Sequence, residues 1–221
     1  MQPDRVLADL RELGRATGGP DGARRVCWTD GWVAARALLR CRLAELPVEV
    51  EVDAAGNLWA DLPGDGDGFV IVGSHLDSVP AGGWLDGALG ELAALEVLRG
   101  AAEAGRPPVG VRLVDWADEE GARFGRSLFG SSACAGTLDV DQVRDLRDRD
   151  GERLEDVLAR HGVELDRVHE SRAQLRGARA YLELHIEQGP VLESRGEPAA
   201  AVLGTVGVER HLAVFTGQTA H

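Results

Sequence analysis

Apolar residues along this chain switch between two spacings. Between residues 5 and 15 they fall at Val6, Leu7, Leu10 and Leu13, the period of a helix, which Gly18-Gly19-Pro20 ends. A second helix is predicted from a Thr29 or Asp30 cap to Glu45, with Trp32, Val33, Leu38, Leu39 and Leu43 on its apolar face and Pro47 beyond it. The period then drops to two. VEVEVD and NLWADL flank Ala54-Ala55-Gly56 and predict a hairpin. PGDGDG turns the chain into the continuous apolar run 69–72, which reads as a buried parallel strand. Residues 87–103 predict a largely buried helix, and Pro107-Pro108 precede another β-branched run, VGVRLVDWA.

Strand, helix and strand in succession imply a βαβ unit and a parallel pairing. Residues 137–179 are charged and helical in period, which reads as a solvated, peripheral helical excursion. YLELH restores a strand-like alternation, and AAAVLGTV and RHLAVFTG predict two more strands. The fold class expected is α/β: a mainly parallel mixed sheet flanked by helices. No internal repeat is visible.

Composition narrows the function classes. With 221 residues, 44% hydrophobic and 28% charged, the chain is an ordinary globular sequence able to bury a core. A net charge of −13 argues against nucleic acid or an anionic membrane as partner. No run approaches a membrane span and the N-terminus lacks signal-peptide order, so a cytoplasmic protein is expected. Cys27, Cys41 and Cys134 form no C-x-x-C pair and read as reduced thiols. Ser74, Ser131 and Ser132 lack a nucleophile-elbow context. Of the five tryptophans, Trp84, inside a glycine-rich loop, is the one placed to line a pocket.

The chemistry lies at strand ends. His75 follows VIVGS, Glu119 and Glu120 follow VRLVDWAD, and His185 sits inside YLELH. Each alone has an ordinary structural explanation, a satisfied histidine or a solvated acidic turn. Together they suit a metal site, because ligands in open α/β sheets bind beyond the carboxyl ends of strands. Adjacent carboxylates allow one to bind metal while the other stays free as a base, and Asp86 is placed to bridge two cations. Asp77, two residues from His75, can accept the second imidazole N–H.

GSHLDSVPAGGWLDG, DEEGARFG, LELHIEQGPVLE and GQTAH occur in the order and spacing of the M20 metallohydrolases, and specifically resemble the N-terminal half of the hydantoinase/carbamoylase branch. That branch includes N-carbamoyl-L-amino acid hydrolases, allantoate amidohydrolases and β-ureidopropionase-like enzymes. The resemblance implies a catalytic metallohydrolase part over residues 1–206 and the opening strand of an α+β lid or dimerisation domain over 207–221. It implies that His75, Asp86 and His185 hold one metal, with Asp86 bridging to a second bound by Glu120. It makes Glu119 the general base, His221 an oxyanion-stabilising catalytic residue, and Gln188 a candidate substrate contact. The activity implied is hydrolysis of the C–N bond of a small ureido substrate, an N-carbamoyl-L-amino acid or allantoate, by metal-bound hydroxide. Two divalent ions (Zn, Mn, Co or Ni) and a homodimer of the full-length protein are implied as well.

The family's later substrate-binding arginine and asparagine and a last histidine ligand fall outside this sequence. A second expectation is therefore a truncated, inactive fragment that at most binds metal or a partner subunit. A third, an M20 dipeptidase, is disfavoured by His185, since the related peptidases carry an acidic residue there. Gly207-Val208 stand where some allantoate-type members have glutamine after the glycine, which leaves the substrate within the branch open.

Overall fold

Two helices with the expected apolar periods open the chain, α1 (Pro3–Thr17) and α2 (Asp30–Leu43), joined through a two-residue ribbon of β1 (Gly18–Gly19) and β2 (Gly22–Ala23). Thr29 stands at the N-cap of α2, but its hydroxyl donates back to the Val26 carbonyl rather than accepting from the helix. The hairpin forms as β3 (Glu49–Val52) and β4 (Leu58–Leu62), with Val52 opposite Leu58. β5 (Phe69–His75), α3 (Ala88–Glu103) and β6 (Gly110–Trp116) make the βαβ unit. The computed structural model describes residues 1–204 and 216–218, in two units, Met1–Ile186 and the residues from Glu187 onward.

The first unit is built on a five-stranded sheet in the order β3-β4-β6-β5-β7, where β7 is Ala178–Leu182. It is mixed: β3 and β4 run antiparallel, as do β4 and β6, while β5 is parallel to both β6 and β7. Alternation along the strands sorts side chains to two faces. Leu58, Ala60, Leu62, Val72 and Leu113 join Leu10, Leu13, Leu39, Leu43, Leu95 and Leu98 from the three helices in one core. Trp59, Ile71, Val114 and Trp116 pack on the other face with Cys134.

The charged stretch after residue 137 differs from the solvated excursion its composition suggests. It folds as α5 (Val140–Val143), α6 (Leu154–Arg160) and a 3-10 helix over Leu165–Leu175, following α4 (Phe129–Ala135). Val143, Leu154, Val157, Leu158, Val163, Leu165 and Val168 are buried against Trp28, Trp32 and Phe129 in a second core. Its short elements each contribute two or three apolar residues, too few for the period of any one to stand out among the surrounding arginines and acids.

Other expectations shift. β7 stops at Leu182, so His185 lies three residues beyond a strand rather than within one. In the second unit α7 (Val191–Arg195) begins with the Val191 and Leu192 amides donating to the Glu187 carboxylate, and residues 199–204 form no strand. Residues 205–215 and 219–221, which hold the remaining strand expectation, the 206/207 boundary and His221, lie outside the described residues. No helix among the described residues is long and apolar enough to cross a membrane.

A buried ion pair ties the sheet to α2. Arg36 donates from Nε to Asp115 Oδ2 at 2.6 Å, from Nη2 to the Asp115 carbonyl at 3.0 Å and from Nη1 to the Gly56 carbonyl at 2.5 Å. Asp115 Oδ1 accepts the Leu76 amide at 2.7 Å, which fixes the backbone directly after His75. Asp115 is fully buried, so removing its partner leaves an uncompensated interior charge. Arg36→Met should cost about 3–5 kcal/mol, while the Arg36→Met, Asp115→Leu double variant should recover part of that loss; urea unfolding of the three proteins checks it.

Candidate metal centre

Parallel pairing brings the carboxyl ends of β5 and β6 level, with His75 in register with Trp116. His75 is the last residue of β5, and Asp118, Glu119 and Glu120 follow β6 immediately. The chain turns sharply there. Asp118 adopts a left-handed φ of 54° and Gly121 one of 63°. Asp118 Oδ2 accepts Trp28 Nε1–H at 3.2 Å, and burial together with the nearby Asp77 pushes its carboxyl up to about 8.

Asp77, fully buried, connects the two strand ends. Its Oδ1 accepts the Glu119 amide at 3.2 Å and its Oδ2 the Glu120 amide at 3.1 Å. His75 Nδ1 faces the same carboxylate, 3.3 Å from Oδ1, and lies 3.1 Å from the Asp77 carbonyl. Both neighbours of Nδ1 are acceptors, so Nδ1 carries the hydrogen and Nε2 is the ring atom presented outward. Nε2 stands 3.5 Å from Glu119 Oε2. Burial alone would lower the imidazole pKa; the Asp77 hydrogen bond and the charges of Asp77, Glu119 and Glu120 outweigh it and raise the pKa to about 10.

A second imidazole is presented in the same way. His185 Nδ1 meets the Ile186 carbonyl at 2.6 Å, leaving Nε2 3.5 Å from Asp86 Oδ1. Asp86 is next to Gly87, whose backbone lies against His75: a Cβ there would stand 2.5 Å from Nδ1, and φ is 64°. Only glycine suits that contact. Burial holds the Glu119 and Glu120 carboxyls above the usual carboxylate range; His75 opposes this and neighbouring acids reinforce it, Asp77 and Glu120 for Glu119, Asp86 and Asp77 for Glu120.

The donor chemistry fits a divalent cation. Both imidazoles offer Nε2 to a carboxylate, and the surrounding acids repel one another in a manner that a cation would relieve. Among the described residues no three His, Cys, Asp or Glu side chains stand close enough together to form a ready-made metal site. The arrangement is thus two His–carboxylate pairs, His75 with Glu119 and His185 with Asp86, rather than a closed cage.

Of the other expected residues, Gln188 belongs to the second unit and His221 lies outside the described residues. Trp84 lines a surface pocket with Arg11, Arg15 and Arg25 that contains none of the expected site residues. Two further carboxylates, Glu183 and Glu91, are not among the residues that the strand-end pattern singles out. Glu183 accepts the Ser74 hydroxyl at 2.6 Å, and Glu91, fully buried on α3, accepts the Ser74 amide at 3.0 Å. Both had a visible signal: Glu183 shares the period-two alternation of Tyr181 and His185, and Glu91 is a carboxylate inside an otherwise apolar helix.

The model of Peptidase family M28 matches residues 57–152, a stretch that includes His75, Asp77, Asp86, Glu119 and Glu120. The chain is 39% identical over 214 residues to an N-carbamoyl-L-amino acid amidohydrolase of Geobacillus stearothermophilus, covering 94% of this chain and 52% of that protein. It is 34% identical to an allantoate amidohydrolase of Escherichia coli (strain K12), covering 99% of this chain and 53% of that one. A crystal structure of a hydantoinase/carbamoylase family amidase from Burkholderia ambifaria superposes with a TM-score of 0.76 at 35% identity, over 89% of this chain and 48% of that one. The chain spans about half the length of the curated relatives it matches. Over the half of those proteins that it spans, the chain is similar in sequence and fold to amidases of the hydantoinase/carbamoylase family.

Proposed function

We propose that the protein is a metal-dependent amidohydrolase that cleaves the C–N bond of a ureido group, as in an N-carbamoyl-L-amino acid or allantoate. The observation that carries this reading is the pairing of two imidazoles, each turned by an Nδ1 contact so that Nε2 meets a carboxylate, at the carboxyl end of the sheet. His75, Asp86 and His185 would hold one divalent cation, and Asp86 with Glu120 a second; zinc, manganese, cobalt and nickel all suit nitrogen and carboxylate donors. Bound there, the cations would supply Lewis acidity and make water acidic enough to deprotonate near neutral pH.

The remaining work falls to side chains. Glu119 is partly open to solvent while the His75 ring beside it is buried, so its carboxylate can reach substrate and water. Its raised pKa moves it toward the range where a carboxylate can both take a proton and return it to the leaving nitrogen. Asp77 keeps that carboxylate in place through the backbone and holds the His75 tautomer. The names of the relatives support the ureido class of substrate.

Two outcomes test the reading. In the protein supplied with zinc, manganese, cobalt or nickel, Glu119→Gln should keep the wild-type metal content and slow ammonia release from N-carbamoyl-L-amino acids or allantoate by about 10²–10⁴-fold. Unchanged turnover would remove Glu119 as the base, and metal uptake without turnover by the wild type would overturn the assigned activity in favour of a metal-binding role. Asp77→Asn places an amide NH2 where an acceptor is needed and should weaken metal affinity by about 10–100-fold, read by chelator competition on protein whose circular dichroism is unchanged.

A further inference from the structure

One group of side chains outside the ligands cross-ties the three strands that deliver them. Ser74 precedes His75 in β5, Trp116 ends β6, and Tyr181 and Glu183 lie at the end of β7 and just past it. The Ser74 hydroxyl donates to Glu183 Oε1 at 2.6 Å, and the Tyr181 hydroxyl donates to Glu183 Oε2 at 2.6 Å. Trp116 Nε1–H in turn donates to the Tyr181 oxygen at 3.0 Å. Short hydroxyl-to-carboxylate bonds of this kind are the stronger class of hydrogen bond.

The ladder between β5 and β7 ends at Leu182, so nothing in the sheet itself holds the chain over residues 183–186. Two contacts replace it. One is the Glu183 latch; the other is the Leu184 carbonyl, which passes so close to α3 that a Cβ at Gly90 would stand 2.3 Å from its oxygen. The next residue is His185, whose Nε2 ends 3.5 Å from Asp86. A segment without ladder bonds is thus latched through Glu183 and passes close against α3 immediately before the imidazole.

We propose that Glu183 is a positioning residue: its latch to Ser74 and Tyr181 holds His185 against Asp86 and thereby sets the affinity of the cation site those two share. The inference rests on the reading of His185 as a ligand. It gives Glu183 no contact with metal or substrate.

Zinc titration against a chelator, with Tyr181→Phe, Glu183→Ala, Glu183→Gln and His185→Ala beside the wild type, separates the possibilities. His185→Ala should remove one tight equivalent. Glu183→Ala should weaken that same equivalent by about 10–100-fold and leave the other unchanged, a selectivity that general loosening of the fold would not produce. Tyr181→Phe should act in the same direction, and Glu183→Gln, which keeps one acceptor oxygen, should fall between Glu183→Ala and the wild type. If His185→Ala changes neither equivalent, the ligand assignment fails and the latch with it. If His185→Ala removes an equivalent while Glu183→Ala and Tyr181→Phe bind as the wild type does, the latch alone is refuted. Loss of the equivalent in Glu183→Ala as complete as in His185→Ala, with Tyr181→Phe unaffected, would make Glu183 a ligand and overturn the positioning role.

Discussion

The buried carboxylate of Asp77 is the constraint on which the site depends. An interior carboxylate is costly unless its lone pairs are satisfied. Asp77 meets that condition with the amides of Glu119 and Glu120, and by facing the Nδ1 of His75. In doing so it makes one structure of two loops that the sequence keeps about forty residues apart, with |i−j| of 42 and 43 for the two amide bonds. The parallel register of β5 and β6 brings the loops level; Asp77 then decides which atoms face each other.

Beneath it lie further buried ionisable side chains that a purely apolar core would not contain. Arg36 and Asp115 pair under the sheet end, Glu91 reaches Ser74 from α3, and Arg25, fully buried, donates from Nε to the Leu76 carbonyl. Pairs of this kind give little net stability when desolvation is counted. Their value here is positional, because their bonds end on Ser74 and Leu76, the residues on either side of His75. The same economy recurs at β7, where Glu183 and Tyr181 take over where the ladder stops.

Much of this was legible in the chain. Helical periods, alternation and continuous apolar runs locate α1, α2, α3, β3, β4, β5 and β6 to within a few residues; all but the exposed edge strand β3 bury apolar side chains that leave such a pattern. His75, Glu119, Glu120 and His185 stand out as metal-type side chains in or after apolar runs, and Asp86 as an aspartate in the glycine-rich loop that follows β5. The helical stretch after residue 137 reads as peripheral yet packs a core, since its buried valines and leucines are scattered among arginines and acids over several short elements. Trp28 and Trp32, which those residues cover, give no sign in the sequence of a core so far away along the chain. The alternation of YLELH marks Glu183 but not its role, which depends on Ser74, with |i−j| of 109, a partner that no local period records.

The proposed function requires two imidazoles and a set of carboxylates, those around His75 organised by Asp77, to form a cation centre at the carboxyl end of the sheet. X-ray absorption at the zinc edge of the zinc-loaded protein tests it most directly. The account predicts nitrogen and oxygen neighbours at about 2.0–2.2 Å with imidazole scattering, and a second metal at roughly 3.5–4 Å. A sulfur shell at about 2.3 Å, or a zinc spectrum without imidazole scattering, would contradict it.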